Sequence, residues 1–123
     1  MDFNKILELH LSSMKNKDLA AFMSTVRLDD VTLIMPNGTL IRDKVEFVEL
    51  HKDWFMDEDW ALDYEILKTE ESAEMAYVLT AVNYKDCDEK GNPVYMNYYL
   101  NLIFRKCGED WLLIHDQNAV YSK

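Results

Sequence analysis

Glycine, proline and cysteine are scarce in this sequence of 123 residues, which contains three glycines, two prolines and two cysteines. Gly38, Gly91 and Gly108 lie far apart, so no glycine-rich loop is available to cradle a phosphate group. The motifs Cys-x-x-Cys and Gly-x-Ser-x-Gly are also absent. These absences exclude a P-loop, a dinucleotide-binding turn, a dithiol redox motif and a serine nucleophile elbow.

Long apolar runs and an excess of positive charge are lacking as well. No apolar stretch approaches the ~20 residues that cross a bilayer, and the first five residues do not lead from a basic region into an apolar segment. Thirteen Lys and Arg against 23 Asp and Glu give a net charge of −10. This charge repels phosphate backbones and anionic lipids. We expect a cytoplasmic protein whose partners include neither nucleic acid nor a membrane.

The composition is that of a folded protein, with 49% hydrophobic and 12% aromatic residues, and the length fits one domain over residues 1–123. Three segments carry apolar residues at helical spacing, beginning near Phe3, Asp18 and Asp43. Both aspartates are suitable N-caps. Between the second and third helices, Asn37-Gly38 is a hairpin signal after the short β-branched segment 31–36.

From Trp60 onward the apolar period changes to two, which is typical of β-strands. Four long strands are predicted, with turns near residues 70–74, 88–93 and 107–110. The order ααββαββββ predicts an α+β domain in which the helices cover one face of a curved antiparallel sheet. In this arrangement Cys87 and Cys107 lie at opposite ends of one hairpin, so we predict two free, reduced thiols.

The order of these signals resembles the nuclear transport factor 2-like superfamily, and specifically its SnoaL-like branch. The residues that carry the resemblance are Asn16-Lys17-Asp18-Leu19 after the first helix, Asp29-Asp30-Val31-Thr32 leading to Pro36-Asn37-Gly38, and the last strand Trp111-Leu112-Leu113-Ile114-His115-Asp116-Gln117. The resemblance implies a cone-shaped, strongly bent sheet wrapped around the three helices, a cystatin-like architecture. It also implies a pocket inside the cone and a homodimer interface on the outer sheet face.

The superfamily includes isomerases, dehydratases, epoxide hydrolases, cyclases and non-catalytic domains, so the resemblance does not define the function. Compared with ketosteroid isomerases, the sequence has His10 at the position of the first-helix tyrosine, Met35 in place of the aspartate base and Asn101 in place of the protonated aspartate. A thioether cannot take a proton from carbon, so this isomerisation is not expected. The Trp-x-x-x-His-x-His pattern of many relatives here reads Trp111, His115, Gln117, and the second histidine is missing.

A candidate pocket follows from the faces on which polar residues lie. His10 and His51 occupy apolar helix stripes, and His115 shares a predicted strand face with Gln117. The three histidines could converge on one cavity, or each could be an ordinary half-buried side chain. In the strand after residue 93, we predict that the polar row lines the cone and that the alternate, apolar row forms the dimer interface; the apolar row is Tyr98, Leu100, Leu102 and Phe104.

The predicted site therefore contains His115 and His10 as acid or base groups, if the protein is an enzyme. The predicted ligand-binding residues are Asn101, Gln117, His51, Trp54, Tyr99 and Asn97. No two histidines have the spacing that places two metal ligands on one element. We expect neither a metal nor a cofactor.

Three functions remain open. The favoured one is binding of a small, largely apolar molecule in an internal pocket. The alternatives are a cofactor-independent isomerase, dehydratase or cyclase that uses histidine acid/base chemistry on a small hydrophobic substrate, and a non-catalytic dimerisation module. A polar-lined cavity would favour a ligand site, whereas a cone filled by its own aromatic side chains would favour the dimerisation module.

Overall fold

A computed structural model describes residues 1–121 of the chain. Its three helices are α1 (Phe3–Lys15), α2 (Leu19–Ser24) and α3 (Lys44–Met56). Asp2, Asp18 and Asp43 cap them, each accepting a hydrogen bond from the backbone N–H three residues later. The predicted caps at Asp18 and Asp43 are confirmed. No helix of residues 1–121 is long and apolar enough to span a membrane.

The six strands are β1 (Thr32–Ile34), β2 (Leu40–Ile41), β3 (Ala61–Glu71), β4 (Met75–Cys87), β5 (Pro93–Cys107) and β6 (Asp110–Val120). They form one sheet in the order β2-β1-β6-β5-β4-β3. All pairings are antiparallel except that of β1 with β6, which is parallel. With the helices on the inner face of this sheet, the structure has the predicted α+β, cone-shaped architecture.

Strand β5 presents its apolar row to the helices, which reverses the predicted orientation. The ring of Phe104 lies 5.4 Å from that of Phe3 in α1. The residues that share this face are at most 4% exposed: Tyr98, Leu100, Leu102 and Phe104. Burial of apolar area is favourable by roughly 25 cal/mol per Å², and the helices cover only this face. The apolar row is therefore buried in the core, and the polar row faces outward.

Strand β6 carries a β-bulge at Ile114. Leu113 is paired with Phe104, and the next pair along β5 joins Ile103 to His115, so Ile114 has no partner on β5. An extra residue on one strand turns every following side chain to the opposite face.

Because of the bulge, the prediction of which β6 side chains face inward is wrong beyond Ile114. Leu113 is fully buried on the inner face, but His115 and Gln117, which were expected beside it, lie on the outer face opposite Ile103 and Asn101. Asp116 takes the inward position instead and is only 6% exposed.

The cysteines are free, as predicted. Cys87 is paired with Pro93 at one end of the β4–β5 hairpin, and Cys107 is paired with Asp110 at the other end of β5. The length of β5 keeps the two thiols apart.

Candidate functional site

A cavity of about 240 Å³ lies between the helices and the inner face of the sheet. Its wall combines side chains of all three helices with the ends of β1, β4, β5 and β6. The residues that line it are Met14, Phe22, Leu33, Met35, Pro36, Leu50, His51, Trp54, Tyr84, Met96, Tyr98, Asp116 and Asn118. Most of these side chains are apolar or aromatic, so the few polar atoms among them define the chemistry of the site.

Asp116 is the acidic residue of this wall. Asn118, two residues further along β6, donates its amide Nδ2–H to Asp116 Oδ1 at 3.0 Å and to the carbonyl of Ile34 at 2.9 Å. Burial raises the pKa of Asp116 to about 7, and the hydrogen bond from Asn118 opposes this shift in part. Asp116 can therefore exchange a proton near neutral pH.

Two tyrosines contribute hydroxyl groups to the cavity. Burial raises the pKa of Tyr84 to about 12, and burial together with the negative charge of Asp116 raises the pKa of Tyr98. Tyr84 Oη accepts a hydrogen bond from Trp54 Nε1 at 3.1 Å. Both tyrosines remain neutral hydroxyls at physiological pH.

His51 lines the cavity as a neutral imidazole. Its Nδ1–H donates to the carbonyl of Phe47 at 2.7 Å, because a carbonyl can only accept. This tautomer leaves Nε2 as an acceptor. Burial lowers the pKa of His51 to about 4, although the hydrogen bond to Phe47 opposes the shift.

His10 lies behind the cavity wall and is fully buried. Its ring stacks on Phe22 at 4.6 Å, and His51 stacks on Phe22 at 4.9 Å. The hydroxyl of Thr25 donates to the carbonyl of Phe22, so His10 Nδ1–H donates to Thr25 Oγ1 at 2.7 Å. His10 Nε2 is buried without a partner. Burial, reinforced by His51, lowers the pKa of His10 to about 3.

An aromatic cluster fixes the position of Trp54. Its ring stacks on Trp60 with centroids 4.3 Å apart, and Trp60 Nε1 donates to the Trp54 carbonyl at 2.6 Å. The ammonium of Lys17 lies 4.1 Å from the centre of the Trp60 ring. Trp54 is therefore held as a rigid aromatic side of the cavity.

The predicted site residues fall into two groups that the sheet separates. His51 and Trp54 line the cavity, and His10 lies directly behind Phe22. The predicted residues on the outer sheet face are His115, Gln117, Asn101, Tyr99 and Asn97. The predicted convergence of His10, His115 and Asn101 on one cavity is therefore wrong, because the bulge and the buried apolar row turn the last two outward.

On the outer face, His115, Gln117 and Asn101 form side-chain hydrogen bonds. His115 Nδ1 lies 2.6 Å from Thr32 Oγ1, and His115 Nε2 lies 3.2 Å from Gln117 Oε1. Tyr77 donates to Asn101 Oδ1 at 2.6 Å. None of these residues lines the cavity.

Asp116 and Asn118 are the cavity residues that the sequence analysis did not predict. If the strand alternated regularly from the inward-facing Leu113, both residues would lie on the outer face. One signal was available in the sequence, since Trp111-Leu112-Leu113-Ile114 is a continuous apolar run with no alternation to fix which residues face inward.

Three helices on the inner face of a bent, six-stranded sheet, with a mostly apolar cavity between them, define a class of small α+β cone proteins with an internal pocket. The family model of the SnoaL-like domain matches residues 4–121. The chain therefore belongs to the SnoaL-like family. A search of curated proteins finds no match.

Solved structures share this fold. A ketosteroid isomerase-like protein from Erwinia carotovora atroseptica is 22% identical, with a TM-score of 0.80 over 98% of this chain and 94% of that one. An NTF-2 like protein of unknown function from Shewanella oneidensis is 18% identical, with a TM-score of 0.75 over 94% of each chain. The association domain of C. elegans CaMKII is 17% identical, with a TM-score of 0.69 over 96% of this chain and 92% of that one. At these identities the likeness shows the fold alone.

Proposed function

We propose that the chain binds a small, largely apolar molecule in the cavity between α3 and the inner sheet face. The observation that carries the proposal is that the aromatic side chains of the core leave this space of about 240 Å³ open. A cavity of ~150 Å³ accommodates benzene, which has six heavy atoms. By that scale the ligand has about ten non-hydrogen atoms.

Native mass spectrometry of freshly purified protein tests this proposal. We expect a retained molecule, or saturable binding of added small aromatic compounds. Filling the cavity by Met96→Trp should abolish binding, because Met96 lines the cavity. The matched control Met75→Trp changes an exposed methionine at the start of β4 and should bind like the wild type. Equal binding by both variants would contradict the proposal.

Proton-transfer catalysis is a second candidate, and Asp116 favours it. A general acid or base works best when its pKa lies near the operating pH, and that of Asp116 is raised to about 7. His10 has no access to the cavity and His115 lies outside it. Asp116, and neither of these histidines, is therefore the candidate general acid or base. If the retained molecule is converted, Asp116→Asn should abolish turnover.

We propose that the chain associates with a second copy of itself through the outer sheet face. The apolar row expected to form this interface is buried, but the opposite faces of β4, β5 and β6 carry half-buried apolar residues: Tyr77, Leu79, Ala81, Ile103, Leu112 and Ile114. Apolar patches of this kind mark interaction surfaces. The fold shared with the association domain of CaMKII supports the same proposal.

A further inference from the structure

The cavity wall contains a single carboxyl group and no Lys or Arg among residues 1–121. His51 contributes no positive charge at neutral pH, because burial lowers its pKa to about 4. An anionic ligand would therefore meet the charge of Asp116 with nothing to neutralise it. The net charge of −10 acts in the same direction, since it repels anions and attracts cations.

Hydrogen-bond acceptors in the wall lack donors. Asp116 Oδ1 accepts from Asn118, but no hydrogen bond or ion pair reaches Oδ2 from residues 1–121. His51 Nε2 is likewise an acceptor to which no donor in this part of the chain is bonded. Asp116 is only 6% exposed and His51 only 4% exposed, so a ligand that brings a donor to these two acceptors replaces water they largely lack. The cavity wall thus lacks positive charge and offers two acceptors to a ligand that carries donors.

Two aromatic side chains line the same cavity as this carboxyl group. Trp54 and Tyr84 line the same cavity, with ring centroids 6.3 Å apart and planes within 29° of parallel. The negative face of an indole or phenol ring attracts an organic cation, and more strongly where water is excluded. An apolar group attached to the cation would fill the remaining wall, which includes Met14, Met35 and Leu50.

We propose that the ligand is a protonated primary amine that carries an apolar group, and that its ammonium binds Asp116 beside Trp54 and Tyr84. This inference rests on the proposed function and names the ligand class of the same cavity. The ammonium supplies both the missing donors and the missing positive charge. The apolar group fills a space suited to about ten non-hydrogen atoms in total.

Binding of an amine should depend on pH in a defined way. The titratable groups around Asp116 are Tyr98 on β5, Tyr84 on β4 and His51 on α3, and both strands paired with β6 place leucines, Leu33 and Leu102, opposite it. Neither tyrosine nor His51 titrates between pH 6 and 8. A pKa of about 7 makes the carboxylate fraction about tenfold larger at pH 8 than at pH 6, so affinity should rise about tenfold.

Three probes of one size separate the ligand classes: 2-phenylethylamine, 2-phenylethanol and phenylacetate, measured by isothermal titration calorimetry at pH 8. We expect the amine to bind at least about tenfold more tightly than the alcohol, since a charge-assisted hydrogen bond is worth ~1.5–3 kcal/mol. Phenylacetate should bind most weakly. In Asp116→Asn the amine should lose its advantage while the alcohol still binds.

Glu65→Gln is the control variant, because Glu65 is an exposed carboxylate on β3 outside the cavity, and its removal should leave the preference for the amine intact. Equal affinities of amine and alcohol in the wild type, or tighter binding of phenylacetate, would overturn the amine inference and leave the proposed function standing. Failure of all three probes to bind at millimolar concentration would contradict both. The wild-type pH series is a separate test if Asp116→Asn does not fold, and a flat series would overturn the inference.

Discussion

Replacing Asp116 by Asn should stabilise the protein at alkaline pH and have little effect in acid. The folded chain holds Asp116 in the cavity wall, where burial raises its pKa from 3.8 to about 7. Asn has nearly the same shape, carries no charge and can still accept the hydrogen bond from Asn118. The substitution therefore removes the cost of burying the carboxylate and little else.

The size of the effect follows from the two pKa values. Between pH 3.8 and 7 the folded state keeps the proton on Asp116 while the unfolded state releases it, so wild-type stability falls as pH rises. Above pH 7 both states are ionised and the loss is complete. At 1.36 kcal/mol for each pKa unit, the difference between 3.8 and about 7 amounts to about 4 kcal/mol. Roughly 3 kcal/mol of this should develop between pH 4.5 and 8.

Urea unfolding at fixed protein concentration, repeated across pH 4.5–8, measures this difference in the free energy of unfolding. Subtracting wild type from variant cancels the contributions of His10, His51 and the other groups common to both chains. The Glu65→Gln control should show no such rise, since Glu65 is exposed. If the Asp116→Asn difference is flat with pH, or if the variant is less stable at pH 8, the assignment of Asp116 to a buried position in the cavity wall is wrong.

Three further predictions concern other parts of the molecule. Burial lowers the pKa of His10 to about 3, so below pH 6.5 the unfolded chain alone takes this proton and stability falls in acid. His10→Asn should reduce the loss between pH 7 and 4.5 by about 2.5 kcal/mol in urea unfolding, and an unchanged loss would refute this. The wild type should sediment as a dimer at micromolar concentration and Leu79→Glu as a monomer, whereas a monomeric wild type would exclude the proposed interface. Thiol titration of denatured, unreduced protein should count two thiols for each chain, and a count of zero would mean that Cys87 and Cys107 are bonded.

The helices and the short hairpin could be predicted because their signals are local. Asp18 and Asp43 precede apolar stripes of helical period, and each caps its helix. The hairpin before β2 turns at Pro36-Asn37, one residue earlier than the Asn-Gly signal, and the Gly38 N–H closes the turn on Met35 O at 2.8 Å. Gly38 follows at a φ of +88°, a conformation that favours glycine. In each case a few neighbouring residues determine the structure.

The facing of β5 and β6 depends on contacts distant in sequence. An alternating strand is equally consistent with either face inward until the helices cover one of them. The bulge at Ile114 accompanies backbone hydrogen bonds that join Leu113 to the segment after α2, from the Leu113 N–H to Thr25 O at 2.8 Å and from the Arg27 N–H to Leu113 O at 2.9 Å. These tertiary bonds leave no local signal, so the residue that enters the cavity, Asp116, could not be identified from alternation.

Chemical-shift mapping of ¹⁵N-labelled protein with 2-phenylethylamine tests most directly whether ligands bind inside the cone. The backbone amides of His51, Trp54, Asp116 and Asn118 should shift and saturate together, because these residues line the cavity. Shifts confined to the outer polar row of Asn97, Tyr99 and Asn101, with none in the cavity wall, would contradict the account.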